Sequence, residues 1–194
     1  MKRTNFAALI TATLAAGLTA CSSTDTATVA PPTAPITTVA VSPFGDDSSD
    51  LLFQIHRNNA AAIVETVEQR GGTPQQAIAA LLAGEAETGW RSGLPMSPPA
   101  TDIRDIYGWR FAYTVGAEST DGVRAATETF MANAATVTVD AADPVAYALA
   151  VQHADRREYD EPEHFFKKGQ TAASEYAAAL PAATAAYAEL RPVQ

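Results

Sequence analysis

The sequence predicts an all-α globular domain behind an export signal and a flexible segment. Three observations support this fold class. Sequence signals for the start of a helix recur along residues 50–194, and one of the predicted helices has no polar face. Strand-like alternation is confined to short pieces such as "ATVTVD", Ala135–Asp140. We interpret that piece as a loop or a single short strand. No repeat with a period of about 20–50 residues occurs.

The first 20 residues have the plan of a bacterial export signal, with Lys2 and Arg3 followed by an apolar run from Phe6 to Leu18. The run is too short for a stable membrane span. It ends in "LTAC", which resembles the lipobox, the motif whose cysteine becomes the lipidated first residue of the mature protein. We therefore expect Cys21 to be acylated and to hold the protein outside the cytoplasm, on the cell membrane or the outer membrane. The alternative is a free thiol near an ordinary cleavage site.

Cysteine content and charge exclude several classes of protein. Cys21 is the only cysteine, so no intramolecular disulfide forms. The chain has 13 basic and 22 acidic residues and a formal net charge of −9. Because no basic stripe is present, we expect no nucleic-acid partner. We also expect no cofactor and no metal, because the sequence has no glycine-rich phosphate loop, nucleophile elbow or metal-ligand spacing.

Residues 21–49 predict a flexible tether, since serine, threonine, alanine, proline and valine dominate and large apolar side chains are few. A random coil of this length spans about 30 Å. The tether would therefore lift the following domain away from the membrane. Residues 50–194 are numerous enough to form one domain with its own core.

The first two helices of this domain have clear sequence boundaries. Asp50 is placed to cap a helix that ends at Gly71-Gly72. The expected core contacts of this helix are Leu52, Ile55, Ile63 and Val67. Thr73-Pro74-Gln75-Gln76 then provides the N-cap, the proline at N1 and the glutamine at N3 of a capping box.

Later helices are predicted from similar signals. Thr120 or Asp121 opens one helix, and Asp143-Pro144 opens the next. The first of these places four side chains on one face: Val123, Ala126, Phe130 and Ala134. Asp160-Glu161-Pro162 opens a further helix, and we expect Pro181 to separate it from the last one.

The apolar helix ends in two glutamates, Glu85 and Glu87. At 100° per residue, Glu85 shares the face of the bulky apolar residues, and Glu87 lies opposite, among alanine and glycine. A helix that is apolar all round is buried. A carboxyl group at its end is then partly desolvated beside the negative end of the helix dipole, and both effects raise its pKa. These conditions suit a general acid, whereas two solvated side chains at an exposed helix end are the alternative.

The segment "ETGW", Glu87–Trp90, resembles the Glu-Ser-Gly-[Leu/Phe/Trp] element of the lysozyme-like superfamily, especially soluble lytic transglycosylases and related actinobacterial and phage domains. The order of "IYGWRF" (106–111), Asp143-Pro144 and "AYALAVQHAD" (146–155) is also similar. The resemblance covers roughly Thr73–Tyr159. It implies a lysozyme-like helical domain in which a buried central helix delivers Glu87 to a sugar-binding cleft, with Glu85 as the second candidate.

The resemblance also implies a function, the cleavage or binding of peptidoglycan glycan strands. In a lytic transglycosylase, Glu87 would protonate the glycosidic oxygen and then act as base while the muramoyl 6-hydroxyl attacks. In a muramidase water attacks instead, and a second carboxylate is needed. Asp102 and Asp105 are the nearest candidates for it, with loop capping as their alternative role. Four aromatic rings are suited equally to stacking on sugars or to filling the core: Trp90, Tyr107, Trp109 and Tyr113.

A second interpretation is a non-catalytic envelope lipoprotein that binds glycan or a partner protein. The Gly-Leu-Phe-Gln segment of the superfamily corresponds here at best to "YGWRF", residues 107–111, where Arg110 replaces the glutamine or the glutamine is missing. This difference favours the second interpretation, and a pair between Glu87 and Arg91 or Arg110 would favour it too. A groove at Glu87 lined by Trp109 and Tyr113 would favour the enzyme. A helical adaptor without glycan contact is a third possibility.

Overall fold

The computed structural model describes residues 41–95, 102–112, 118–155 and 169–192. Helices account for most of these residues, and the predicted all-α class is confirmed. The described helices are α1 (Leu51–Gln69), α2 (Pro74–Thr88), α3 (Thr120–Ala134), α4 (Pro144–His153) and α5 (Ala172–Leu190). Among them, none combines the length and the apolar character that spanning a bilayer requires.

A small antiparallel sheet lies between α2 and α3 in the chain. Its strands, in spatial order, are β1 (Leu94–Pro95), β2 (Asp102–Arg104) and β3 (Arg110–Ala112). Strands of two or three residues are too short to show alternation, so the sequence did not predict them. Ala135–Asp140, in contrast, contains turns and no strand, which is one of the two outcomes expected for it.

Most of the predicted helix caps are present. They are Asp50 on the Leu52 amide, the complete capping box of Thr73 and Gln76, and Asp143 on the Ala146 amide. The cap of α3 is Ser119 rather than the predicted Thr120 or Asp121. Three consecutive residues there have capping side chains, so the sequence alone does not choose among them.

The predicted core contacts of α1 are correct only in its second half. Ile63 and Val67 are fully buried. Leu52 and Ile55 are 55% and 37% exposed, so their assignment to the core is wrong. In the first two turns of α1 the buried side chain is Phe53, which means that only its face of the helix is covered there.

α2 is the central helix and packs against α1, α4 and α5. From Ala77 to Gly84 every residue is buried except Ile78, which is half-buried. The prediction of a helix enclosed on all sides is therefore confirmed. The predicted face of α3 is confirmed as well, because its four side chains belong to the same core as α2.

The packed part of the chain begins earlier than residue 50. Phe44, inside the predicted tether, is 5% exposed and belongs to the core. Its ring centroid lies 5.1 Å from that of Trp90 and 6.1 Å from that of Phe53. A single aromatic side chain in a polar segment is a weak sequence signal, which is why the sequence assigns Phe44 to the tether.

The prediction that Pro181 separates two helices is wrong, because Pro181 lies inside α5. Proline lacks the backbone N–H that would bind the carbonyl of Ala177. Both residues are exposed, so water can satisfy that carbonyl. The surrounding alanines have high helix propensity and continue the helix on both sides. The helix predicted at Asp160-Glu161-Pro162 lies outside the described residues.

Candidate functional site

The carboxyl end of α2 turns through two residues in the left-handed conformation. Gly89 has φ = +60° and Trp90 has φ = +54°. The Gly89 amide donates to the Glu85 carbonyl at 2.9 Å, which is the bond of an αL C-cap, and the Trp90 amide donates to the Gly84 carbonyl at 3.1 Å. A residue with a side chain is strained in this conformation by roughly 1–2 kcal/mol. Trp90 therefore needs other contacts to hold it.

Trp90 is held by contacts with two helices. Its indole Nε1 donates to the Leu81 carbonyl of α2 at 2.9 Å, and Asn59 of α1 donates from Nδ2 to the Trp90 carbonyl at 2.9 Å. The side chain is 1% exposed. The tryptophan of the "ETGW" segment therefore fastens the end of α2 to α1.

Thr88 joins the same helix end to the loop between β2 and β3, residues 105–109. Its Oγ1 lies 3.0 Å from the Gly84 carbonyl and 2.9 Å from the Ile106 carbonyl. A hydroxyl has one hydrogen, so the two carbonyls share it. The threonine thereby brings the loop against the last turn of α2.

Asp105 organises this loop. Its Oδ1 accepts hydrogen bonds from the amides of Tyr107 at 2.9 Å and Trp109 at 3.1 Å, and its own amide donates to the Trp109 carbonyl at 3.1 Å. The residue is 6% exposed. These contacts are those of a loop cap, the alternative to a second catalytic carboxylate. Asp102 begins β2, but its side chain lies outside the described part.

Glu87 occupies the last turn of α2 and is 8% exposed. Its Oε1 accepts a hydrogen bond of 2.7 Å from the hydroxyl of Tyr176 in α5. That hydroxyl accepts a bond of 2.9 Å from Nε2 of Gln152 in α4, and the same nitrogen donates to the Tyr107 carbonyl at 3.0 Å. We call these four groups the Glu87 network. It joins α2, α4, α5 and the β2–β3 loop.

Gly108 lies beside the second carboxyl oxygen of Glu87. Its φ is +75°, and a Cβ at this position would lie 2.8 Å from Glu87 Oε2. Side-chain carbons do not approach other atoms so closely. The backbone conformation therefore favours glycine, and a side chain at this position would force the Glu87 carboxyl group to move.

Glu85 is less buried than Glu87, although Glu85 shares the face of the bulky apolar residues of α2. The side chains around Glu87 on α2 are alanine and glycine, so α5 approaches closely enough for Tyr176 to bind Glu87. Glu85 is half-buried at the edge of the core. Burial raises the pKa of its carboxyl group, and the nearby Arg91 guanidinium opposes that rise only in part.

The candidate sugar-stacking rings in the described residues lie in the core. Trp90, Tyr107 and Trp109 are 1%, 0% and 3% exposed. Tyr107 stacks on Phe130 with ring centroids 4.8 Å apart, and Trp109 lies 5.3 Å from Tyr107. Of the two roles left open for these rings, core packing is the one that their contacts show. Tyr113 and Cys21 lie outside the described residues.

Sequence reasoning missed Tyr176 and did not recognise the role of Gln152. Tyr176 is the only aromatic residue among the small residues of the first half of α5. A buried tyrosine needs a partner for its hydroxyl, and a buried glutamine needs partners for its amide. Those two rules were the available signals, but neither identifies the partner.

Two adjoining cavities of about 320 and 430 Å³ lie near the amino end of α2, where Gln76 contributes to both. From Gln76 to Glu87 the helix rises by roughly 16 Å. These cavities are therefore separate from the Glu87 network. Within the described ranges, no group of three or more His, Cys, Asp or Glu side chains is placed to hold a metal ion.

No protein-family model, curated protein or solved structure matches this chain. The Glu87 network presents a carboxyl group with one oxygen fixed by a hydroxyl donor and the other placed against a glycine. Such a group can give and accept a proton in a fixed orientation.

We predict that Gly108→Ala lowers the free energy of unfolding more than Gly71→Ala does. The two glycines have nearly equal φ, +75° and +76°, but a Cβ at Gly71 meets nothing within 4 Å. Backbone strain alone lowers the stability of Gly71→Ala by roughly 1 kcal/mol. In Gly108→Ala the contact with Glu87 adds about 1–3 kcal/mol. Urea denaturation measures both, and equal losses would contradict the placement of Glu87 against Gly108.

We also predict a pH-dependent effect of Glu85→Gln. Folding raises the pKa of Glu85 above its ordinary value of 4.5, so the folded state disfavours its charged form. Its stabilising contribution is present below that ordinary value and is lost as the pH rises through the raised value. The variant should therefore be more stable than the wild type near neutral pH, with an advantage that disappears below about pH 4. Urea denaturation across this range would contradict the assignment if the wild type were the more stable protein at neutral pH.

Proposed function

We propose that this chain is an envelope-anchored protein that acts on peptidoglycan glycan strands, with Glu87 as the general acid and base. One observation carries the proposal: a carboxyl group at the end of a buried helix, with Oε1 fixed by the Tyr176 hydroxyl and Oε2 beside Gly108. The resemblance of "ETGW" to the glutamate element of the lysozyme-like superfamily supports it.

In the proposed reaction, Glu87 donates a proton to the oxygen of the bond between N-acetylmuramic acid and N-acetylglucosamine. The bond from the anomeric carbon to that oxygen breaks, and the leaving sugar departs as an alcohol. The ionised carboxylate then takes the proton of the muramoyl 6-hydroxyl as that oxygen bonds to the anomeric carbon, which forms the anhydro product. In a hydrolase, water takes the place of this hydroxyl.

The location of the protein in the cell envelope is part of the proposal. The export signal and the lipobox-like "LTAC" predict an acylated Cys21 and therefore attachment to the outer face of the cell membrane or to the outer membrane. Peptidoglycan lies within reach of a tethered domain in either place. The membrane, through Cys21, and glycan strands are the proposed partners.

A second candidate function is a non-catalytic lipoprotein that binds glycan or an envelope protein. The specific observation in its favour is the burial of Trp90, Tyr107 and Trp109, which leaves these rings unavailable for stacking on sugars. The loop-capping contacts of Asp105 point the same way. Under this alternative, Glu87 serves only to join helices.

Digestion of purified peptidoglycan by the full chain separates these candidates. We predict anhydro-muropeptides, read by mass spectrometry, and a loss of about 10²–10⁴ in rate for Glu87→Gln. Glu65→Gln is a matched control. Glu65 is paired with Arg124 on the surface, so this variant should retain wild-type activity. Reducing-end products would instead identify a muramidase.

Two other outcomes would change the assignment. If Glu85→Gln lost activity and Glu87→Gln kept wild-type activity, Glu85 rather than Glu87 would be the general acid. No cleavage by a folded wild-type chain that still sediments with peptidoglycan would leave the binding lipoprotein.

A further inference from the structure

The Glu87 network has a fixed direction of hydrogen donation. The Tyr107 carbonyl can only accept, so the side-chain atom of Gln152 that lies 3.0 Å from it must be the amide nitrogen. The same nitrogen lies 2.9 Å from the Tyr176 hydroxyl oxygen. One hydrogen of this nitrogen is therefore donated to the Tyr107 carbonyl and the other to the Tyr176 hydroxyl. The orientation of the Gln152 amide thus follows from a backbone carbonyl of the β2–β3 loop.

This orientation decides where the Tyr176 hydrogen points. The hydroxyl oxygen accepts a hydrogen from Gln152, and its own single hydrogen goes to Glu87 Oε1 at 2.7 Å. Gln152 Oε1 is buried and has no hydrogen-bond partner among the described residues. The amide of Gln152 is consequently held by the two bonds of its nitrogen.

The direction of hydrogen donation in the Glu87 network distinguishes the two oxygens of Glu87. Oε1 already accepts the Tyr176 hydrogen, so a proton carried by the carboxyl group sits on Oε2, the oxygen beside Gly108. We propose that Gln152 is a positioning residue that acts through Tyr176. It directs the Tyr176 hydrogen to Oε1 of Glu87, so that Oε2 is the oxygen that transfers the proton. The catalytic consequence rests on the proposed function, whereas the hydrogen-bond direction does not.

The inference can be tested without activity, by NMR of the full chain labelled with ¹³C at the tyrosine Cζ carbons. A buried hydroxyl proton that donates to a carboxylate exchanges slowly with water and gives a low-field signal. We expect such a signal from Tyr176, assigned by its loss in Tyr176→Phe. Gln152→Met, which removes both donor hydrogens at similar volume, should shift the signal upfield or abolish it by fast exchange.

Thr127→Val is the matched control. Thr127 is fully buried and its Oγ1 lies 2.9 Å from the Tyr107 hydroxyl, outside the Glu87 network. This variant should move the hydroxyl signal of Tyr107 and leave that of Tyr176 unchanged. An unchanged Tyr176 signal in Gln152→Met, or an equal shift in Thr127→Val, would overturn the positioning role.

The wild-type protein supplies a second measurement if Gln152→Met does not fold. Nuclear Overhauser contacts should place the Tyr176 hydroxyl proton closer to the side chain of Glu87 than to the amide of Gln152. The reverse order would refute the assigned direction. Because these signals do not depend on turnover, a positive NMR result without peptidoglycan cleavage rejects the proposed function alone. Cleavage without the expected signals rejects the positioning role alone.

Discussion

A carboxylate buried at the end of a helix requires a hydrogen-bond donor, and the Tyr176 hydroxyl provides one to Oε1 of Glu87. Because α2 is enclosed on all sides, its last turn ends inside the protein, where unpaired carbonyl groups are also costly. The Trp90 amide and the Thr88 hydroxyl bind the Gly84 carbonyl, and the Gly89 amide binds that of Glu85. Tyr176 then connects the glutamate to α5. Each residue of "ETGW" therefore has a structural task.

These contacts have a direct bearing on chemistry. A group that transfers protons is effective when its orientation is fixed before the substrate arrives, since reorganisation then does not add to the barrier. Tyr176 and Gly108 restrict Glu87 from two sides. The same contacts would also serve a purely structural glutamate. The two proposed functions thus require the same architecture and differ in whether Glu87 exchanges a proton with a glycan.

The local parts of the fold were predictable because their signals are local. The capping box at Thr73 and the absence of polar residues between Ala77 and Gly84 identified the central helix and its burial. The relative burial of Glu85 and Glu87 was not predictable. A helical projection shows which residues share a face, but not which face the rest of the chain covers. Tyr176, which donates a hydrogen bond to Glu87, lies 89 positions away in a helix with few distinguishing features.

Two other errors have the same origin. In the sequence, Pro181 predicts a helix boundary. In the structure it lies at an exposed position of an alanine-rich helix, which tolerates it. Trp90 and Tyr107 are amphipathic rings that suit a sugar-binding surface or a core, and tertiary packing decides between them. Sequence patterns therefore predicted the elements, whereas long-range contacts determined the site.

The most direct test is a double-mutant cycle on the free energy of unfolding, with Glu87→Met, which removes the acceptor at similar volume, Tyr176→Phe and the double variant. If the bond between these residues joins α2 to α5, the two substitutions should be coupled by about 1.5–3 kcal/mol, as expected for a hydrogen bond to a charged group. Additive effects, with a coupling free energy near zero, would contradict the central place given to Glu87 in the fold.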